Sequence, residues 1–161
     1  MEIDRDIFLT SSDEELSSLC RITFTKATGP GGQKRNKTSS AVQIELPQLG
    51  ISVADCTERS QFRNRANALK KLRFQIAMQF RKTPTVPENM ECSVNSPAYP
   101  LFAAKLLDIL TAGSFDHRKA AEFCGISPTS MLKKLYRDPK LWQYFSQQRN
   151  ILQLPTLHPP K

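Results

Sequence analysis

Hydrophobic and polar positions change period along the chain, and the changes mark out its elements. Arg21 to Ala27 sets Ile22 and Phe24 among polar residues at every second position, the pattern of a half-buried strand. Ala41 to Leu46 alternates again, Pro47 to Gly50 reads as a turn, and Ile51 to Cys56 as the hairpin partner. After Ser60 the period shifts. Phe62, Ala66, Leu69, Leu72, Ile76 and Phe80 recur every three or four residues, which predicts a long helix laying one apolar stripe on the sheet. Arg63, Lys70, Arg73 and Arg81 fall on its other faces. Upstream, Ile3 to Leu9 reads as a short edge strand, and Ser12 with Glu15 as a capping box opening a brief helix toward Ser18.

Between Thr83 and Pro100 the prolines 84, 87, 97 and 100 stand among Ser and Asn, a composition that resists packing and reads as a linker. Helical spacing resumes in Leu101 to Ala112 through Phe102, Leu106, Ile109 and Leu110, with Gly113 as the C′ residue. Asp116 caps a second helix running to Cys124, Gly125 makes a turn, and Ser127-Pro128 and Asp138-Pro139 each supply an N-cap followed by Pro at the first helical position. The expected architecture is α+β: residues 1–83 form a small mixed β-sheet covered by a long helix, 84–97 a Pro-rich linker, 98–152 a small helical module, and 153–161 a Pro-rich tail. A chain of 161 residues has room for two such compact pieces.

Charge adds an asymmetry. The formal net charge is +8. Residues 1–20 set Arg5 against Glu2, Asp4, Asp6, Asp13, Glu14 and Glu15, whereas residues 21–82 set thirteen Lys and Arg against Glu45, Asp55 and Glu58. A positive field centred on one segment favours phosphate-rich partners, with a solvated basic face as the alternative. The four cysteines show no Cys-x-x-Cys pair and no His at ligand spacing, so neither a zinc site nor a disulfide framework is signalled; reduced, mostly buried thiols are expected. No basic leader and no run of 18 apolar residues is present, so the expectation is a cytoplasmic protein without membrane contact.

Chemistry concentrates in Gly29-Pro30-Gly31-Gly32-Gln33. Adjacent glycines let the backbone take positive φ and bring bare N–H groups close to a ligand, although a tight strand connection would use the same residues. Lys34, Arg35 and Lys37 follow at once, placing phosphate contacts beside a neutral Gln able to bond water or ribose. No Ser/His/Asp, Cys/His or metal set offers another route. His117 and His158 are isolated, Asp13-Glu14-Glu15 fits a helix N-terminus better than a general-acid pair, and Trp142 and Phe145 read as core.

At these residues the chain resembles the class-I peptide-chain release factors and their truncated relatives, the ribosome-rescue peptidyl-tRNA hydrolases. The resemblance runs from about Ile22 to Leu72 and takes in Gly29-Pro30-Gly31-Gly32-Gln33, Asn36-Lys37-Thr38 with Ser40-Ala41-Val42, then Arg59-Ser60-Gln61, Asn64-Arg65 and Ala68-Leu69. It implies that Gly31, Gly32 and Gln33 are catalytic in the peptidyl transferase centre, the Gln33 backbone N–H stabilising the developing charge and departing ribose oxygen while its side chain admits water. Preorganised donors of that kind are worth roughly 10²–10³ in rate each. It further implies the ribosome's large-subunit rRNA and peptidyl-tRNA as partners, a glutamine methyltransferase acting on Gln33, and no metal or other cofactor. Lys34, Arg35, Asn36, Lys37, Arg59, Arg63 and Arg65 are the expected RNA contacts in this part. A monomer is expected.

Departures sharpen the reading. About 20 residues precede the first resembling strand, so codon recognition by a separate domain is not expected, and the expected activity is codon-independent hydrolysis of the peptidyl-tRNA ester on stalled ribosomes. Familiar bacterial rescue hydrolases end in a basic tail; this chain ends in Leu154-Pro155-Thr156-Leu157-His158-Pro159-Pro160-Lys161 after a helical module. In that module Ala121, Gly125, Ile126, Met131 and Leu135 fall where helix-turn-helix proteins place a small residue, the turn glycine and core positions. Ser130, Lys133, Lys134 and Arg137 then form a polar stripe expected to face solvent and contact nucleic acid; a plain helical bundle with a basic face is the alternative. Two rival functions are a non-catalytic rRNA- or ribosome-binding factor, against which an intact Gln33 counts, and a DNA-binding regulator built on the last helices.

Overall fold

The computed structural model describes residues 3–26 and 40–161. The chain divides into two compact units, Met1–Gln79 and Phe80–Lys161.

The first unit opens with helix α1, Arg5–Thr10, where alternation had pointed to a strand. The Asp4 side chain accepts from the Asp6 N–H and starts the helix, and the buried residues Arg5, Phe8 and Leu9 follow helical spacing, leaving Ile7 exposed. Ser12 and Glu15 form the expected capping box at the start of α2, Asp13–Ser18. Strands β1, Arg21–Thr25, β2, Ala41–Leu46, and β3, Ile51–Asp55, make a sheet of order β1-β2-β3. Both pairings are antiparallel, so this sheet is not the mixed one expected; neighbours in chain order can pair this way without a crossover connection. Val42, Ile44 and Leu46 are buried while Gln43 and Glu45 face solvent, as period-2 patterning requires.

Helix α3, Gln61–Gln79, packs on β2 and β3. The Ser60 hydroxyl accepts from the Arg63 N–H at 3.3 Å and caps the start of this helix. Its buried face is Asn64, Ala68, Leu69, Leu72, Ile76 and Ala77. Leu69, Leu72 and Ile76 are thus inside as expected, but Phe62 is 78% exposed, Ala66 is half-buried and Phe80 lies beyond the helix. The face is centred on the i+4 series 64, 68, 72, 76, so an amide occupies the place that the apolar pattern assigns to Phe62. Arg73 ties α3 to the α1–α2 junction, 2.6 Å from the Asp13 carboxylate and 2.9 Å from the Ser11 carbonyl.

The second unit holds α4, Tyr99–Ala112, α5, His117–Cys124, α6, Pro128–Tyr136, and α7, Pro139–Ile151. Asp116, Ser127 and Asp138 cap the last three helices through their side chains, and Pro128 and Pro139 occupy first-turn positions, all as the sequence predicts. Gly125 sits at φ 69°, the left-handed turn between α5 and α6. Gly113 does not supply the corresponding turn after α4. Its φ is −93°, and the left-handed residues are Ser114 and Phe115, the latter buried with its carbonyl accepting from Arg149 at 2.7 Å. Phe102, Leu106, Leu107, Leu110, Met131, Leu135, Leu141 and Phe145 form the core, with Trp142 half-buried against Tyr136.

The stretch read as a linker lies inside this unit. Pro87 and Cys92 are buried, the Asp108 carboxylate accepts from the Lys82 N–H at 3.0 Å, Glu91 meets Lys134 at 2.9 Å, and Arg137 donates to the Cys92 carbonyl at 3.1 Å. Side chains from the helices thereby hold a segment that has few apolar groups of its own to bury. In the tail, Arg149 donates to the Pro155 carbonyl at 3.0 Å. Among the cysteines only Cys92 is buried; Cys20, Cys56 and Cys124 are half-buried.

Candidate active site

Strand register brings four chain segments to one end of the sheet. Thr25, the last residue of β1, pairs with Ala41, the first of β2, so Lys26 and Ser40 stand at the same end of the sheet. Asp55, the last residue of β3, pairs with Val42, so the β3–α3 connection and the start of α3 lie at that same end. The expected catalytic residues Gly31, Gly32 and Gln33, and the expected RNA contacts Lys34, Arg35, Asn36 and Lys37, fall outside the described residues. Their points of attachment are described, and they are built by polar side chains to which the sequence alone assigns no role.

Asn64, fully buried, donates through Nδ2 to the carbonyls of Ser40 at 2.6 Å and Glu58 at 2.9 Å, while its Oδ1 accepts from the Glu58 N–H at 2.8 Å. Asp55, also buried, accepts from the Thr57 N–H at 3.1 Å and hydroxyl at 2.8 Å and pairs with Lys71 at 2.8 Å. Lys71 also donates to the Ala54 carbonyl at 3.0 Å. Burial alone would push the Asp55 carboxyl up; the hydrogen bonds from Lys71 and Thr57 together outweigh it and hold the carboxyl below the usual carboxylate range. Buried polar groups that are fully bonded rigidify their surroundings, so both ends of the connection from β3 to α3 are fixed. Two signals for Asn64 are present in the sequence, its place in the resembling Asn64-Arg65 motif and its position at the head of the i+4 series that continues as Ala68, Leu72 and Ile76.

On this frame Arg59 and Arg63 are exposed and Arg65 is half-buried. Arg63 lies 3.8 Å from Glu58, an exposed pair of little energetic weight. The cations expected in the helical module stand differently. Lys133 is exposed, but Lys134 is buried against Glu91, and Arg137 is engaged at the Cys92 carbonyl. The expectation that Lys134 faces solvent is therefore corrected: its ammonium fastens the 80–98 segment, and its bond holds the Glu91 carboxyl below the usual range. Among the described residues no group of three or more His, Cys, Asp or Glu could hold a metal ion, and no helix is long and apolar enough to cross a membrane.

The family model of the RF-1 domain matches residues 13–96, more than half of the chain. The chain belongs to the RF-1 domain family. Its RF-1 region includes the sheet, α3 and the segment from Gly29 to Gln33, and ends on the stretch held by Lys134 and Arg137. Peptide chain release factor 2 of Thermosipho africanus is 43% identical over 84 residues, covering 50% of this chain and 22% of that protein. Peptide chain release factor 1 of Acidiphilium cryptum is 51% identical over 61 residues, 38% of this chain and 17% of that protein. Peptide chain release factor 2 of Paramagnetospirillum magneticum is 51% identical over 59 residues, 37% and 16% respectively. The chain thus spans about a fifth of the length of the curated relatives it matches.

Proposed function

We propose that this protein hydrolyses the ester bond of peptidyl-tRNA on the ribosome through Gly31-Gly32-Gln33, and does so without a codon in the decoding site, as a rescue factor for stalled ribosomes. The observation that carries the reading is the RF-1 match over residues 13–96, which contains the glycine-glycine-glutamine segment. In this reading the Gln33 backbone N–H faces the developing oxyanion and the departing ribose oxygen, and its side-chain amide orients water. Lys34, Arg35, Asn36, Lys37, Arg59, Arg63 and Arg65 approach rRNA or tRNA phosphates, the described members of the set standing at the sheet end where residues 26–40 are anchored. Lys133, with Arg137 and Lys140 near it, serves as a second, weaker RNA contact on the helical unit, which supplies affinity in place of codon reading. The Gln33 amide is the substrate of a glutamine methyltransferase, and the protein acts as a cytoplasmic monomer.

The test is release of labelled peptide from ribosomes carrying peptidyl-tRNA. Release that is lost in Gly32→Ala supports the hydrolase; ribosome binding with no release by the unmodified chain supports a non-catalytic binding factor instead.

A further inference from the structure

Asn64 is a fixed point of the fold, and its partners point to a more particular role. Its amide uses both donors and its acceptor, and only one orientation sets the two N–H groups on the Ser40 and Glu58 carbonyls and the oxygen on the Glu58 N–H. Ser40 is the residue at which the Gly31-Gly32-Gln33 segment returns to β2, and Glu58 immediately precedes Arg59. One buried side chain therefore joins the two segments to which separate roles at the ribosome are assigned. Being fully buried, it touches no RNA itself. Other residues of the 64, 68, 72, 76 series are apolar and contribute packing; an amide at this place instead gives the Ser40 and Glu58 carbonyls a buried donor.

We infer that Asn64 is a positioning residue for peptidyl-tRNA hydrolysis, setting the return end of the glycine-glycine-glutamine segment against the Arg59 turn. The inference rests on the proposed function. Displacement of a reacting group by about 1 Å costs on the order of a hundredfold in rate, whereas binding through exposed cations is left in place.

The experiment measures single-turnover peptide release by the full chain across a ribosome titration. It compares Asn64→Asp, isosteric but lacking the donors, and Asn64→Ala with an Ile76→Val or Ile76→Ala control matched to them in melting temperature. Ile76 lies on the same buried face three helical turns away. The expected result is a rate constant at saturation lowered about ten- to a hundredfold in both Asn64 variants, half-saturation moved by less than about threefold, and an unchanged rate constant in the control. Wild-type rates in the Asn64 variants, or an equal loss in the control, overturn the inference while leaving the hydrolase standing. Variants that do not fold assign Asn64 to stability and overturn it as well. Absence of release by the unmodified chain overturns the proposed function itself and this role with it.

Discussion

Among the described residues of Met1–Gln79 the buried polar side chains Ser40, Asp55 and Asn64 gather at one end of the sheet, with Arg5 apart from them in α1, whereas in Phe80–Lys161 they are spread along the joints of the helices. Asp108 holds Arg81 and the Lys82 N–H, Lys134 holds Glu91, Asp138 accepts from the Tyr99 hydroxyl at 2.9 Å, and Arg149 reaches two carbonyls. Burial, and then the Asp138 charge, push the Tyr99 hydroxyl far above its usual range, so it stays a donor. The contrast separates two uses of a costly feature. Distributed polar joints hold segments that lack apolar side chains, while concentrated ones shape the connections at a single edge of the molecule, the edge from which the RF-1 glycine-glycine-glutamine segment departs.

Activity and stability should separate between the two units. Gly32→Ala, whose added Cβ would displace the Gln33 backbone N–H, is expected to lower peptide release by roughly 10²–10³, the cost of losing a preorganised oxyanion donor. Gln33→Ala keeps that N–H and loses only the amide that orients water, so it should lower release less; both should leave melting temperature and ribosome binding unchanged. Release kinetics beside calorimetry check this. Arg149→Met should have the opposite profile. Its removal leaves the Phe115 and Pro155 carbonyls without their charged donor and costs about 3 kcal/mol. Hydrogen exchange should then rise in α4 and α7 but not in α3; equal rises in α3 would show that the two units do not respond separately.

Acid should also reach the units in sequence. Burial, followed by the nearby Arg149 charge, holds His117 below its ordinary range, so the folded chain keeps it neutral. Above the unfolded value of about 6.5 it has no effect on stability; as pH falls through that value the unfolded chain takes up the proton first and the second unit weakens. Asp55 is depressed from its ordinary carboxylate value, so its contribution is present above about 4 and is lost as pH falls further. A scan from pH 7 to pH 3 with probes in each unit should therefore show α5 loosening before β3. His117→Gln should remove the first phase and leave the second.

Among surface cations the effects are smallest. Arg63→Ala or Lys133→Ala should leave stability unchanged and flatten the log–log salt slope of ribosome binding by up to about 1. Lys134→Met instead removes a bond to the 80–98 segment and should lower the melting temperature with little change in salt slope. A flattened slope for Lys134→Met would return that residue to the RNA-contacting set.

Where backbone pattern and side-chain burial agreed, the fold was legible in the sequence. The β2–β3 hairpin, the Ser12–Glu15 box and the caps at Asp116, Ser127 and Asp138 depend on two or three neighbouring residues and stand where they were expected. Misreadings arose where a distant partner decides. Ile3 to Leu9 has too few residues to separate period 2 from period 3.6, and the Asp4 cap settles it as helix. Phe62 outscores Asn64 on hydrophobicity, but the carbonyls of Ser40 and Glu58 recruit the amide inward. Lys134 lies on a polar stripe by spacing alone; Glu91, far away in sequence, draws it under cover. Within the candidate site, Arg59 and Arg65 stand in the resembling motifs and Arg63 in the basic segment; Ser40 and Asn64 stand in those motifs too, but nothing local in the sequence announces that they are buried and bonded to each other.

The central claim, hydrolysis of peptidyl-tRNA independent of the codon, is tested most directly by timing peptide release from one ribosome preparation in three states: no codon in the A site, a stop codon, and a sense codon. The expected result is release by the full chain with an empty A site, dependent on Gly32, and no acceleration by the stop codon. Release that requires a stop codon, or that persists undiminished in Gly32→Ala, would contradict it.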